Sequence, residues 1–324
     1  MGVYLDSGLS FSKHVREAVM KATKGVSLLK YLSKYVSRKV LDLSYKLYVR
    51  PHLDYGDVIY HNQRADLMNI IEQVQYKAAL IVSGCWQGTN RETLYDELGW
   101  ESLSERRWSR RMTMFYKILN GMAPPYLSDH LPDDSLRSNV YSRRNGIRLP
   151  FSRTCRHESS FVPFCIKNWN NLDNTIKSAP TLSIFKTNLI KFVRPKGNTF
   201  YSIRDRYGAK LLTKIRVSFS DLRDHRFNHN FNCLDPTCRC GLRDETTVHF
   251  FLCCPRYKNL RTTYLSKISD IVRSDISVLP NDHLTHTLMY GSNVYNNVIN
   301  ESIISETIYF INKSGRFVRL EAFS

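Results

Sequence analysis

Residues 104–120 read Ser-Glu-Arg-Arg-Trp-Ser-Arg-Arg-Met-Thr-Met-Phe-Tyr-Lys-Ile-Leu-Asn, which is the most informative helical pattern in the chain. Large apolar side chains recur in it at intervals of three and four residues, at Trp108, Met112, Phe115 and Leu119. This spacing places them on one stripe of an α-helix, the face that an amphipathic helix buries. The stretch therefore predicts a helix that packs on a core through this stripe.

A second arc of the same predicted helix is basic. Its members are Arg106, Arg107, Arg110 and Arg111. Positive charges in the first two turns of a helix oppose its dipole, and Glu101 and Glu105 offset part of that cost. Two interpretations of the arc are open from the sequence: a solvated face, or a face that contacts phosphate groups.

Shorter helical patterns precede this segment. Ser12 is a suitable N-cap for a first helix, which Gly25 is expected to end, and further helices are predicted after Ser37 and Asp66. The first helix has an apolar stripe made of Val15, Ala18, Val19 and Ala22. Its basic side chains lie on the opposite face, at Lys13, Arg16 and Lys24. Short helices this closely spaced predict a helical bundle.

Composition predicts three consecutive domains: a helical domain at 1–122, a connector region at 123–197 and a C-terminal helical domain at 198–324. The connector is expected to be mixed, because residues 147–149 read as a short strand among helices. Residues 3–5 read as another short strand. A lone strand needs partners, so the start of the chain is expected to be a cut through a larger fold.

The overall composition limits the functional classes. The 324 residues include 47 Lys+Arg and 29 Asp+Glu, a net charge of +18, and 42% are hydrophobic. This apolar fraction suffices for packed cores and excludes wholesale disorder, yet no apolar run approaches the ~18 residues of a membrane span. No secretory signal is visible, so an intracellular protein, nuclear or cytoplasmic, is expected. The excess of positive charge predicts a polyanionic partner, most simply RNA or DNA.

Five of the eight cysteines are crowded into one segment of 22 residues and predict a metal site. They are Cys233, Cys238, Cys240, Cys253 and Cys254, with His249 between them. Thiolates and imidazole favour zinc, and Gly241 permits the left-handed turn of a tight metal loop. The remaining thiols are expected to be small buried apolar residues: Cys85, Cys155 and Cys165.

Spacing alone leaves the choice of zinc ligands open. On an α-helix His249 and Cys253 share a face, whereas Pro255 disfavours helical geometry at Cys254 and permits its thiol to turn back toward the metal. Four protein ligands would complete the coordination sphere of zinc and leave no open position, so the site is expected to be structural. The alternative is a zinc-dependent hydrolase with an open metal position and Glu245 as its base, although Glu245 also suits a helix start. Two further histidines, His225 and His229, are expected to join a basic surface.

Short motifs along the chain resemble one protein family. They are Gly2-Val3-Tyr4-Leu5-Asp6 with Leu9 and His14, Leu53-Asp54-Tyr55-Gly56, Trp169-Asn170-Asn171-Leu172, and Phe185-Lys186. In this order they resemble the thumb and connector of the reverse transcriptase of a Jockey-like non-LTR retrotransposon. The family usually has a proline after the leucine of the third motif, where this chain has Asp173. The resemblance implies that the first domain is thumb-like.

The C-terminal domain resembles the zinc knuckle of the same family. The matching residues are Leu211 to Arg216, then Cys238, Cys240, Gly241, Glu245, Thr246, His249, Cys254 and Pro255. This resemblance implies that zinc is bound by Cys238, Cys240, His249 and Cys254, and that Cys233 is a bystander.

The catalytic aspartates of a polymerase palm are missing from this sequence. The family places an aromatic-Ala-Asp-Asp motif between apolar strands, whereas the Asp-Asp pair of this chain, Asp133-Asp134, follows Pro132 in a predicted linker. The expected function is therefore that of a nucleic-acid-binding fragment or remnant whose partner is element-derived RNA or DNA. Two alternatives are open from the sequence: a fragment of a polymerase whose palm is encoded upstream, or an independent binding module. Phosphate contacts are expected from the basic residues Lys13, Arg16, Lys24, Arg106, Arg107, Arg110 and Arg111.

Overall fold

The structure, a computed structural model, describes residues 2–60, 65–132, 146–193 and 205–317. Asp133-Asp134 and the predicted boundary at residue 197 lie outside these ranges. The described chain is mainly helical, as predicted, and its β-structure is limited to one isolated bridge between Thr237 and Asp244. None of its helices is both long enough and apolar enough to cross a membrane.

In residues 2–60 and 65–132 the helices follow one another after only a few residues. They are α1 (Ser12–Leu32), α2 (Arg38–Tyr48), α3 (Arg50–Asp54), α4 (Asp57–Tyr60), α5 (Ala65–Ser83), α6 (Arg91–Leu98) and α7 (Leu103–Leu119), followed by a 3₁₀ turn at Pro125–His130.

The later helices include several single turns. They are α8 (Cys155–Glu158), α9 (Phe161–Asn170), α10 (Asn174–Lys177), α11 (Leu182–Val193), α12 (Arg206–Arg216), α13 (Arg223–Asn228), α14 (Lys258–Val272), α15 (Asn281–Tyr290) and α16 (Asn297–Lys313). A π-helical turn spans His249–Cys253, and 3₁₀ turns span Pro255–Tyr257 and Ile276–Val278.

The chain folds into two compact units, each made of three stretches. Unit 1 contains Met1–Leu28, Ser44–Lys77 and Trp100–Lys196, and unit 2 contains Leu29–Leu43, Ala78–Gly99 and Gly197–Ser324. This division differs from the three consecutive predicted domains. Residues of the predicted first domain are shared between the units, and the predicted connector belongs to unit 1 because its helices pack on α7.

The core of unit 1 forms where α7 meets α9 and α11. The α7 stripe packs on this core as predicted, with Met112 and Phe115 buried and Trp108 and Leu119 partly buried. The Tyr116 ring stacks on Phe185 with centroids 4.3 Å apart. Trp169 is also buried, and its ring meets the edge of Phe115 at 5.6 Å. A capping box at Ser102 begins α7, because its hydroxyl accepts the Glu105 amide while the Glu105 carboxylate accepts the Ser102 amide.

Unit 2 has an aromatic core between α12, α14 and α16. The Tyr264 ring stacks on Phe310 at 4.9 Å, and its hydroxyl lies 3.0 Å from that of Thr307. Phe250 and Phe251, from the π-helical turn, enter the same buried cluster. The helix predicted around Leu211 is α12, which contributes to this core.

Four local predictions were wrong: two short strands, one helix end and the burial of one cysteine. Residues 3–5 and 147–149 form no strand. The Ile147 amide instead donates to the side-chain oxygen of Asn170, and the side-chain nitrogen of Asn170 donates to the Ile147 carbonyl, at 2.8 Å each. Gly25 does not end α1, because its lack of a side chain lets the helix approach the Tyr48 carbonyl. Cys85 and Cys165 are buried as expected, but Cys155 is exposed.

Candidate functional site

A tight loop presents the first two cysteines of the cluster. Its ends are joined by the Thr237–Asp244 bridge, and the Cys238 amide donates to the Arg243 carbonyl at 2.8 Å. Inside the loop the Gly241 amide donates to the Cys238 carbonyl, and Gly241 has a φ of 78°. This is the left-handed turn predicted from the sequence, which a glycine adopts without steric cost.

The π-helical turn His249–Cys253 presents the other two residues of the cluster. The Cys254 amide donates to the His249 carbonyl at 2.7 Å, five residues back, which is the bonding pattern of a π-helix. Cys254 itself is extended, with φ −61° and ψ 122°, as expected before Pro255. The wider turn and the extended residue together bring the Cys254 thiol back beside the His249 imidazole.

The side chains of Cys238, Cys240, His249 and Cys254 converge on one point. Their ligand atoms all lie within 4.8 Å of one another, so they are close enough to hold a metal ion. The Cys238 and Cys254 sulfurs are 3.8 Å apart, and the Cys240 sulfur is 3.3 Å from His249 Nε2. A tetrahedral zinc with bonds of about 2.3 Å to sulfur would separate two thiolates by about 3.8 Å, so the geometry is compatible with zinc.

The two rival cysteines lie outside this cluster. Cys253 is exposed, and the Cys233 thiol donates to the carbonyls of Arg223 and Asp235. The helix-face argument for Cys253 was wrong because residues 249–253 form a π-helical turn, in which His249 no longer aligns with the residue four positions later.

Burial shifts the pKa of three of the four side chains, whereas a backbone hydrogen bond from Leu242 lowers the pKa of Cys240. Burial raises the pKa of the Cys238 thiol to about 12 and also raises that of Cys254. Thiolates at these positions therefore need a positive charge beside them, which a metal ion supplies. Burial lowers the pKa of His249, so its imidazole is neutral and has a lone pair to donate.

A buried carboxylate ties together the segments around the cluster. Both oxygens of Glu245 accept hydrogen bonds from Arg316 at 2.6 Å, and one also accepts the Arg223 amide at 2.8 Å. Burial alone would raise the pKa of Glu245, but these hydrogen bonds and the Arg316 charge hold it below its usual value. Glu245 is therefore an ionised member of a structural ion pair.

His225 is buried, which corrects the expectation that it joins a basic surface. One ring nitrogen lies 2.8 Å from the Ser220 hydroxyl and the other 3.2 Å from the Thr247 hydroxyl. Burial lowers the pKa of His225 to about 4, so the ring is neutral at pH 7. His229 is exposed as expected and bonds the Ser218 carbonyl.

The four ligand atoms lie close together, and two of the residues that carry them are part of the unit 2 core. Cys238 and Cys254 belong to the same hydrophobic core as Phe250. Comparison with models of known families, with curated proteins and with solved structures finds no match. The chemistry of the site is therefore argued from its own geometry.

Most of the arginines predicted to contact phosphate are inside unit 1. Arg106, Arg107 and Arg111 are each at most 5% exposed, while Arg110 is partly exposed. This placement corrects the expectation that the basic arc of α7 forms one phosphate-contacting face. A guanidinium enclosed by protein cannot reach a phosphate in this conformation.

The partners of these arginines lie far away in sequence. Asp54 accepts hydrogen bonds from Arg106 and Arg110 at 2.9 Å and from Arg50 at 3.1 Å. Arg110 also bonds Asp57 at 2.9 Å. The motif Leu53-Asp54-Tyr55-Gly56 therefore neutralises part of the basic arc, and this was missed because the two segments are about fifty residues apart.

The basic residues predicted on α1 are at the surface. Lys13, Arg16 and Lys24 are all exposed, as is Lys21, which the sequence reasoning left out. Positions 13, 16 and 24 fall within one arc of the helix, because three and eleven residues correspond to nearly whole turns. The structure therefore brings these three cations together along one face of α1.

Proposed function

We propose that Cys238, Cys240, His249 and Cys254 bind a structural zinc ion. Three thiolates and one imidazole satisfy the four positions of tetrahedral zinc, which leaves no position for a substrate or a reactive water. Cys238 and Cys254 are embedded in the unit 2 core, whereas Cys240 lies on the loop that they help to anchor. The metal would fasten this loop to the core.

We propose in addition that the chain binds nucleic acid through the basic face of α1, consisting of Lys13, Arg16 and Lys24. The observation that carries this proposal is the exposure of all three cations on one helix face. The only acidic residue of α1 is Glu17, and the chain has a net charge of +18. Exposed cations in a row recognise the phosphate backbone and supply affinity without sequence discrimination.

The motif resemblance suggests what the nucleic acid is. We propose that the chain derives from the C-terminal part of a Jockey-like retrotransposon reverse transcriptase and that its ligand is RNA or DNA of the element. A palm that binds two catalytic magnesium ions would be encoded upstream. Translation of the DNA on the 5′ side tests this point: an aromatic-Ala-Asp-Asp motif in frame is expected, and stop codons there would contradict it.

The binding proposal is tested by titrating the full chain with single-stranded RNA at several salt concentrations. Each phosphate neutralised in a single strand contributes about 0.7 to the slope of log affinity against log salt. The variant Lys13→Gln/Arg16→Gln/Lys24→Gln should therefore lose about 2 from this slope and bind more weakly.

A matched control removes the same charge from exposed positions of unit 2, in Lys258→Gln/Arg273→Gln/Lys313→Gln. This control should keep the wild-type slope. Equal slopes for the two triple variants would show that only net charge matters and would contradict a site on α1.

A further inference from the structure

Unit 1 has an open cleft of about 670 Å³ between the Arg50–Val58 segment, α7 and α11. Its volume falls in the range of small-molecule sites, roughly 300–1,000 Å³. The cleft is separate from the basic face of α1, none of whose residues lines it, and from the metal cluster in unit 2.

Among the charged residues that line the cleft, five are cationic (Arg50, Arg106, Arg110, Lys117 and Lys186) and two are acidic (Asp57 and Glu101). Arg50 and Arg110 stand at one side, where Asp54 and Asp57 fix their positions. Lys117 of α7 and Lys186 of α11 complete the set, and in the described structure neither ammonium group forms an ion pair or a hydrogen bond. Two lysines without protein partners beside two preorganised guanidinium groups form a site for an anion.

The rest of the lining is apolar. Val58, Met114, Leu189 and Ile190 line the cleft together with the aliphatic stems of the lysines. Ile190 is 45% exposed although it is a large aliphatic side chain. Pockets of this type bind ligands that offer a flat apolar surface and a few fixed polar groups, and methionine adapts well to such surfaces.

We propose that this cleft binds a nucleoside phosphate, with the phosphate between Lys117, Lys186 and Arg110 and the base against Met114 and Ile190. The negatively charged phosphate pairs with the two lysines, which have no acidic partner in the described structure, and the base covers the apolar wall. The same group occurs in a free nucleotide and at the end of a nucleic-acid strand. An acidic peptide would satisfy the cations but would leave the apolar wall uncovered.

The test is calorimetric titration of the full chain with 5′-AMP at low salt. The variant Lys117→Gln/Lys186→Gln should bind AMP at least about tenfold more weakly, since two charge-assisted contacts are removed. Lys191→Gln, which removes an exposed charge from the same helix outside the cleft, should bind like the wild type. Lys186→Gln alone changes an exposed side chain, so it tests the site if the double variant folds poorly.

Additional ligands separate the alternatives. Adenosine should bind far more weakly than AMP, and hexaglutamate should not compete with it. A short RNA with a 5′-phosphate that displaces AMP better than the same RNA without one would identify a strand end as the source. A free nucleotide is the source if the two RNAs compete equally poorly.

The inference is overturned if AMP fails to bind at millimolar concentration, if the lysine variants bind it like the wild type, or if hexaglutamate competes as well as AMP. The α1 triple variant should retain AMP binding. This result distinguishes failure of the cleft from failure of the α1 proposal, because each site has its own variant and its own ligand.

Discussion

Asp54 shows how a single carboxylate determines the environment of the α7 arginines. It is 8% exposed and forms ion pairs with Arg50, Arg106 and Arg110, with nitrogen–oxygen distances of 2.9–3.1 Å. A buried charge is tolerated only when it is paired and hydrogen-bonded, because it has lost its hydration. Asp54 therefore allows Arg106 to be buried beside the core of unit 1.

The variant Asp54→Asn should lose about 3 kcal/mol or more of unfolding free energy, because it leaves the Arg106 guanidinium buried without an opposite charge. Urea unfolding followed by circular dichroism measures the loss. The control is Glu158→Gln, which breaks the Lys167–Glu158 pair, whose side chains are more than half exposed. That change should cost less than about 1 kcal/mol. Equal costs for the two variants would contradict the assigned role of Asp54.

His225 gives unit 2 a defined pH dependence. In the unfolded chain it binds a proton as the pH falls below its ordinary pKa of 6.5, whereas in the folded chain burial delays protonation until about pH 4. The unfolded state therefore holds more protons between these values, and stability contributed by the neutral ring falls as the pH is lowered through this window. The difference corresponds to roughly 3 kcal/mol when complete.

The measurement is the unfolding free energy at pH 7 and pH 5 for the wild type and for His225→Gln. Glutamine keeps a donor and an acceptor for Ser220 and Thr247 but does not titrate. When the pH is lowered from 7 to 5, the unfolding free energy of the variant should fall less than that of the wild type. Protonation of the proposed metal ligands affects both proteins and does not produce this difference. Identical losses would rule out His225 as the titrating group.

Helix α1 depends on a residue that usually weakens helices. A Cβ atom on Gly25 would lie 2.6 Å from the Tyr48 carbonyl oxygen and 2.9 Å from Val49 Cγ2. Gly25→Ala should therefore destabilise the protein by about 1–3 kcal/mol, although alanine is the better helix former. The exposed neighbour Thr23→Ala is the control and should change thermal stability little. A more stable Gly25→Ala variant would contradict the close approach of the backbones.

The elements that the sequence predicts well are those determined by local periodicity. The apolar stripe of α7 and the helix around Leu211 were predicted correctly, because burial of one face follows directly from the spacing of apolar residues. Gly25 was misinterpreted because the Tyr48 carbonyl that it accommodates is more than twenty residues away. The basic arc of α7 was ambiguous for the same reason, since Asp54 and Asp57 come from distant segments.

The cluster of three cysteines and one histidine was predictable from the sequence, but spacing alone did not select its members. Cysteine density indicated a metal site, and the preference of Pro255 for a preceding extended residue indicated that the Cys254 thiol turns back. A π-helical turn leaves no simple sequence pattern, so spacing favoured Cys253. The family resemblance selected the four residues that the structure brings together.

At the scale of the whole molecule, the two units each have a core of their own, and the cluster of Cys238, Cys240, His249 and Cys254 belongs to unit 2. A cation at this point would replace apolar packing that the loop cannot provide, as in other small metal-bound modules.

The zinc content of the purified full chain, determined by elemental analysis beside its Cys253→Ser and Cys254→Ser variants, tests this account most directly. The wild type and Cys253→Ser should each contain close to one zinc per chain, because the Cys253 thiol lies outside the cluster. Cys254→Ser should lose most of the metal. Metal-free wild-type protein that is folded, or equal zinc in the two variants, would contradict the assigned centre.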